Sequence, residues 1–580
     1  MALWEWMGTS ELPSLLLRSL ITLTLLACTT ALLALYLRPR YSSLRFLRGP
    51  VSTSYLTGCW EEALAEEPGV AYSRWAEEYG GAVRVASFLG EDRLMLADSA
   101  GVNHVMKECY SYPKPPEVRG PLGRILGKGL QHAEGDDHRR QKRIMAPAFS
   151  TAHLRDLTPT FFAVAHKLRD HWLDLIAAGG IEEGAFKDSV TATAFEKKEG
   201  ETVVDAMKWL SRAALDIIGL AGFDHPFNAL SSSSDALGAA FSTMLSSTFR
   251  PTARIMLAAN LAGKLISALP FDLSAWMPVE QVRRIRRCFE TMESETERIL
   301  QGKKEEARSA GGVGLGLGME EEKRDLMTLM LKSNLEDVKM TMSDGELSGQ
   351  MTTFVLAGAE TTAGALAWAL KTLAEKPHVE KQLRTELRKA KGGVVEKDDE
   401  LEYDELDRLP LLDAFCREIL RLHPSLPYTL REATSDDSIP LSTPVTSQAG
   451  QQLTAVPIKS GTVVMIPIYA MNRSRKVYGE DADEFRMERW TEEGVGKGAA
   501  GAWGQQITFW GGPRACIGYK FALLEMKVIL TVLLDSFSFA PRDATIKLGH
   551  RAGAITRPIV VGEEALGCRM PLRVRRVEEG

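Results

Sequence analysis

Residues Phe509-Trp-Gly-Gly-Pro-Arg514-Ala-Cys516-Ile-Gly518 decide how the rest of the chain is read. Gly511, Gly512 and Pro513 make a turn, and the apolar run from Gly518 to Leu534 has helical period, so the loop presents Cys516 at the start of a helix. Backbone N–H groups and the positive helix end favour a thiolate there. A thiolate is the soft ligand that iron takes, and glycines at 511, 512 and 518 let a flat macrocycle approach the backbone. Considered alone, Cys516 also fits a structural cysteine buried in a turn. The other cysteines (Cys28, Cys59, Cys109, Cys288, Cys416, Cys568) are scattered without a C-x-x-C pair, which argues against a disulfide framework and a structural zinc site.

Upstream, Ser343 and Glu346 form a capping box that opens a long helix with apolar periodicity to Leu373, before Pro377. Thirty residues of helix span about 45 Å, the width of a large domain. Its middle reads Ala357-Gly-Ala-Glu360-Thr361-Thr362. Gly358 and Gly364 each cost a helix about 1 kcal/mol relative to alanine, so the segment serves something besides helix stability. A second membrane span is disfavoured by Glu360; a core helix with a solvated notch stays open. Between these motifs, Glu418-Ile-Leu-Arg421 places opposite charges at i and i+3 on a helix ending at His423-Pro424. Phe485-Arg-Met-Glu-Arg489-Trp490 then offers a second arginine for a buried Glu–Arg–Arg network.

The 580 residues are 45% hydrophobic and 25% charged, an ordinary globular balance. The net charge of −6 supplies no basic field, which disfavours nucleic acid as a partner. There is no G-x-S-x-G elbow, Walker A loop or H-E-x-x-H pair. The glycine cluster Gly311–Gly318 has no strand before it and reads as a linker. Loops are expected over Gly179–Glu201, Gly302–Lys323 and Ala390–Glu400, and a hairpin over Ala82–Ala97 turning near Gly90. Helical periodicity dominates from Val102 to His423, and short apolar runs such as Thr462–Ile468 and Ile555–Val561 come after it. The expected class is therefore mainly α with small β-sheets.

Ser19 to Leu37 is nineteen residues without a charge, long enough to cross a bilayer, although Arg18 interrupts its extension toward Leu15. It runs straight into Arg38, Arg40, Arg45 and Arg48 with no small-residue cleavage site, so it reads as a retained anchor and not a signal peptide. Glu5 and Glu11 precede it, so the positive-inside rule places the chain after Arg38 in the cytosol. A buried amphipathic helix is the competing reading. Asn472-Arg473-Ser474 is a sequon, which would be modified only if the domain faced the lumen.

Taken together, these motifs resemble a microsomal-type cytochrome P450, in that family's order and spacing from about Gly49 to Leu572. The resemblance implies a membrane anchor over 1–37, a basic linker over 38–50 and a haem domain over 51–580. It implies haem b with Cys516 as axial thiolate ligand, Phe509 packed near it, Gly518 among the cofactor-binding residues and Arg514 on a propionate. His138 and Lys142, in Glu134-Gly-Asp-Asp-His138-Arg-Arg-Gln-Lys142-Arg143, and Arg431 match further propionate partners. Glu418, Arg421 and Arg489 match the structural network; Glu360 and Thr361 match the acid and alcohol that supply protons during oxygen activation. Two departures stand out: Trp510 where the family usually has a small residue, and Met487 where it has proline. The implied activity is a monooxygenase using O2, a lipophilic small molecule in the style of fungal secondary metabolism, and electrons from an NADPH–cytochrome P450 reductase. The implied location is the endoplasmic reticulum membrane, single-pass, with the catalytic domain cytosolic. Thr248–Pro278, rich in Leu, Met and Ala, reads either as a segment dipping into membrane lipid or as an ordinary core-facing helix. A haem-thiolate isomerase or dehydratase acting without O2, and a non-catalytic haem protein, are alternatives, although both Glu360 and Thr361 are retained.

Overall fold

A computed structural model describes residues 12–181, 200–231, 252–267, 280–309, 325–336, 341–392, 400–492, 495–496, 498–501, 503–543, 546–551 and 555–577. Among the described residues helices dominate, with four small sheets. One four-stranded sheet orders Ala82–Ala86, Asp92–Leu96, Val463–Ile466 and Thr429–Glu432; the first two strands form the antiparallel hairpin the sequence predicts. The second orders Gly180–Ile181, Glu201–Asp205, Pro571–Arg576 and Phe537–Pro541, and so ties the carboxy end to the middle of the chain. Two further hairpins pair Asp437–Thr446 with Gln452–Ile458 and Leu548–Arg551 with Arg557–Val560.

The central element is the helix Asp344–Glu375, opened by the expected box: Ser343 Oγ accepts from Glu346 N–H at 3.3 Å, and Ser343 N–H donates to Glu346 Oε2 at 2.8 Å. Burial opposes ionisation of Glu346, but hydrogen bonds from Arg140, Ser343 and Gln141 win and pull it down to about 2. This helix is long and apolar enough to cross a bilayer, yet 78% of its most apolar window is buried in protein, so it is a core helix. One of its glycines has a packing reason. A Cβ on Gly358 would lie 3.3 Å from the Ile218 side chain of helix Ala206–Phe223, and one on Gly364 would come within 4.0 Å of the Thr556 carbonyl. The tight contact with Ile218 gives Gly358 a packing role, whereas at Gly364 a Cβ would make only an ordinary contact. Helix Tyr519–Ser536 packs against Thr151–Ala178, with the Phe161 and Phe521 rings 4.8 Å apart.

Several loop expectations are corrected. Helix Glu280–Ser309 runs through Gly302, where a loop was expected. Met292, Ile299 and Leu300 bury one face of it, and Gly302 is exposed with nothing for a Cβ to meet, so its only penalty is the modest one of helix propensity. Residues 310–324, including Gly311–Gly318, lie outside the described residues. Gly180–Ile181 is a strand at the start of another expected loop, because Glu201–Asp205 offers it a parallel partner; 182–199 lie outside the described residues. Ala390 ends helix Pro377–Ala390, and 393–399 lie outside the described residues. Of Thr248–Pro278 only 252–267 are described, and they form helix Ala253–Ser267. Its Ala253 packs with Trp60 and Phe88, while Ile255 and Leu261 are exposed at 41% and 44%. The amino-terminal segment is helical over Leu12–Leu37.

Candidate functional site

The cysteine loop is anchored from three sides. Gly512 has φ +63°, and a Cβ there would meet the Met106 carbonyl at 2.5 Å, so this turn admits only glycine. Cys516 N–H donates to Phe509 O at 2.9 Å, closing the loop on itself. From helix Gly135–Met145, Lys142 Nζ donates to Pro513 O at 2.6 Å and Ala515 O at 2.9 Å. Lys142 is therefore bound to loop carbonyls, whereas the resemblance implied a propionate contact. Phe509 meets Trp503 edge-on at 5.4 Å and Tyr519 at 6.0 Å. Gly518 caps helix Tyr519–Ser536, and a Cβ there would reach only ordinary contact with Phe149, 3.7 Å away.

Cys516 has an accessible surface but sits deep enough that desolvation raises its thiol above the usual range, with the Gly518 backbone N–H and the Lys142 ammonium pulling the other way. The backbone N–H at the helix start thus favours the thiolate, as the loop's sequence implies, while desolvation opposes it. A coordinated metal ion would reverse that balance, since it deprotonates a ligating thiol.

Beside the loop, cations outnumber anions. Lys114 and Arg514 converge on one carboxylate, Glu134, with Arg431 nearby and in no ion pair among the described residues. Lys114 Nζ lies 2.8 Å from Glu134 Oε1, and Arg514 pairs with Glu134 Oε2 and donates from Nε to Cys109 O at 3.2 Å. Arg514 Nη1 is buried with no partner. Burial pulls Lys114 down to about 8 against the attraction of Glu134. Arg431 is brought down to about 10 by burial first and then by Arg514. His138 is buried, its Nδ1 3.3 Å from the Tyr110 hydroxyl, and burial with the nearby Arg514, Lys114 and Lys142 lowers it to about 3. His138 is therefore neutral at physiological pH and can serve a ligand only as a neutral partner. An orphaned guanidinium nitrogen in a cluster with surplus positive charge fits a carboxylate-bearing ligand. The accessible thiol, the glycines and this cluster together fit haem b.

On the central helix, Glu360 Oε2 lies 3.1 Å from Arg557 Nε of strand Arg557–Val560. Thr361 Oγ1 donates to Ala357 O at 2.7 Å, and its carbonyl accepts from Ser425 Oγ at 3.2 Å. The acid and the alcohol are thus neighbours in sequence, each bonded to its own partner. Sequence reasoning missed Arg557, Lys114 and Glu525. Glu525 is fully buried on helix Tyr519–Ser536, and burial pushes its carboxyl well above the usual range. A single mid-helix acid in an apolar run was a readable signal for Glu525; nothing in the local sequence marked the other two.

The third motif is brought together in full. Glu418, Arg421 and Arg489 are each 0% exposed. Arg421 approaches Glu418 with Nη2 and Nε at 2.7 and 2.9 Å, and Arg489 Nε approaches Oε1 at 3.4 Å. Arg486 N–H and Trp490 Nε1 complete the shell at 3.0 and 3.1 Å. Arg421 Nη1 also donates to Asn472 O at 2.8 Å, and Asn472 bonds Thr508 Oγ1 and Ile507 N–H at 2.7 and 3.1 Å, so the network reaches the strand of chain that leads into the cysteine loop. Asn472 is 1% exposed, and its side chain is fully engaged inside the fold, where a glycan could not be accommodated.

Comparison with known proteins agrees with this geometry. The family described as "Cytochrome P450" matches residues 50–559. Cytochrome P450 monooxygenase 205 of Postia placenta is 35% identical over 547 residues, covering 92% of this chain and 93% of its own. Cytochrome P450 monooxygenase claQ of Ampulloclitocybe clavipes is 34% identical over 539 residues, with 92% and 93% covered. With its cysteine loop, its cationic cluster and a match that spans nearly the whole of it, the chain belongs to the cytochrome P450 family, whose members bind haem b.

Proposed function

We propose that the protein is a membrane-anchored monooxygenase that inserts one atom of O2 into a lipophilic small molecule, the other atom leaving as water with two electrons and two protons consumed. The observation that carries this reading is the accessible Cys516 thiol on a loop locked by Gly512 and Lys142 and flanked by surplus cations. When bound, haem with a thiolate ligand supplies reductive activation of O2. The residues assigned to hold it are Cys516 on the iron, Arg514, Arg431 and His138 at its carboxylates, and Phe509 and Gly518 along its face. Lys142 orients the loop. The Glu360 carboxylate, held by Arg557, and the Thr361 hydroxyl, which must turn away from Ala357 O, carry protons inward from solvent.

Electrons are assigned to an NADPH–cytochrome P450 reductase, because the chain has no flavin or dinucleotide fingerprint. Exposed Arg139 and Arg143 lie on the helix whose Lys142 touches the cysteine loop, and so offer a basic docking face close to the ligand. Helix Leu12–Leu37, about 39 Å long, with exposed Leu23, Leu25 and Leu26, is the proposed single span of the endoplasmic reticulum membrane, the domain after Arg38 facing the cytosol. Helix Ala253–Ser267 is the proposed second contact with lipid. The substrate is proposed to be an apolar secondary metabolite, terpenoid or similar, from the general style of the sequence.

Reconstitution with a reductase and NADPH tests this reading, using spectral titration against a panel of lipophilic metabolites. O2-dependent NADPH consumption stimulated by a binding metabolite is expected; product formed without O2 or NADPH would identify an isomerase or dehydratase instead.

A further inference from the structure

Trp510, six residues before Cys516, is awkward in three ways that share one explanation. Its backbone lies in the left-handed region with φ +60°, which disfavours a bulky side chain and which a glycine would occupy without strain. Its indole is 7% exposed, within the apolar cluster that includes Val105, Met106 and Ile507, yet its Nε1–H has no hydrogen-bond partner, whereas a buried indole N–H usually finds one. Finally, the Arg431 guanidinium carbon lies 4.9 Å from the centre of the Trp510 ring.

Arg431 explains the cost. It is buried on strand Thr429–Glu432, and its hydrogen bonds run from Nη1 to Thr429 Oγ1 at 2.8 Å and Leu430 O at 2.7 Å, both within its own strand. Among the described residues no carboxylate lies within ion-pair distance of it, and Arg514 nearby repels it. A buried guanidinium in that position needs an electron-rich neighbour, and the face of an indole is the best aromatic one. A phenyl ring would present a weaker face and no donor; a small residue would present neither.

We propose that Trp510 is a cofactor-anchoring residue: its indole face holds the Arg431 guanidinium in place for a haem carboxylate, and its N–H is a further donor in the same cluster. This rests on the haem-binding reading of the site and adds to it a positioning residue that this chain carries in place of the usual small one.

The test is the rate of haem transfer from the full-length, haem-loaded protein to excess apomyoglobin, which requires no substrate. Trp510→Gly tolerates the backbone angle and is expected to lose haem roughly three- to thirty-fold faster, the range of one cation–π contact. Trp510→Phe keeps volume and an aromatic face, guards against a packing failure in the glycine variant, and is expected to recover part of that loss. The decisive readout is coupling: in an Arg431→Gln background, Trp510→Gly should add little further acceleration. Haem loss from Trp510→Gly equal to the parent's, or the same acceleration with and without Arg431, overturns the proposal. A parent that loads no haem would instead overturn the underlying assignment of the site.

Discussion

Glu418→Gln is the sharpest perturbation of the scaffold, because it preserves shape and removes one buried charge. The carboxylate takes five donors: Arg421 Nε and Nη2, Arg489 Nε, Arg486 N–H and Trp490 Nε1. An amide offers one acceptor oxygen and turns an NH2 toward the guanidinium groups, so at least two donors lose their acceptor. At about 1.5–3 kcal/mol for each hydrogen bond to a charged group the loss is roughly 3–6 kcal/mol. The cost of stranding one member of a buried ion pair, about 3–5 kcal/mol, agrees. That lowers the equilibrium constant of the ordered network by about 10²- to 10⁴-fold. Because Arg421 holds Asn472 O, and Asn472 holds Thr508 and Ile507, the disorder should reach the cysteine loop. Chemical denaturation of the detergent-solubilised protein, followed by far-ultraviolet circular dichroism and by haem absorbance, reads both effects. The midpoint should fall with a parallel loss of haem loading; Glu418→Asp should be intermediate; Asp481→Asn, whose side chain is 32% exposed and which leaves Arg489 its contact with Glu418, should cost about 1 kcal/mol. A Glu418→Gln protein with the parent's midpoint and haem content would refute the view that charge compensation holds this network.

Cys516→Ala should abolish the strongly red-shifted Soret band of the reduced carbon monoxide complex, while Cys416→Ala, at a fully buried thiol pushed up to about 12 by desolvation, should leave it; the shifted band persisting in Cys516→Ala would end the ligand assignment. Thr361→Ala should still bind haem and substrate but divert NADPH to peroxide, and an unchanged product yield per NADPH in both Thr361→Ala and Glu360→Ala would remove proton delivery from their roles. Burial lowers His423, His550 and His138, so below about pH 6.5 the unfolded chain binds protons that the folded apoprotein does not; stability should be full above that pH and fall below it, by up to about 1.4 kcal/mol per pH unit each for His138 and His423, and denaturation midpoints that stay flat from pH 7 to 5.5 would contradict this. Removing residues 1–37 should weaken sedimentation with microsomes without abolishing haem binding; unchanged attachment would move the anchor elsewhere, with helix Ala253–Ser267 the next segment to delete.

The motifs legible in the chain are those whose chemistry is local. A Gly-Pro turn that presents a cysteine, a Ser343–Glu346 box that opens a helix and a Glu418–Arg421 pair at i, i+3 are short-range constraints, so their residue types and spacing carry them, and the chain alone determined the family and the helix-rich class. Loop boundaries were less legible: Gly302 reads as a breaker, yet the buried face of Met292, Ile299 and Leu300 outweighs it. Only the tertiary structure decided which partners the site residues take. Lys142 goes to the loop carbonyls, Glu360 to Arg557 nearly two hundred residues away, and Glu134 to both Lys114 and Arg514, because the strength of a charge pair depends on separation and burial, and neither is written in a linear spacing. The same holds for Cys516 and Trp510. The sequence placed a cysteine at a helix start and a tryptophan where a small residue is usual; the depth of burial that raises the thiol, and the Arg431 guanidinium that lies over the indole, exist only once distant segments have packed.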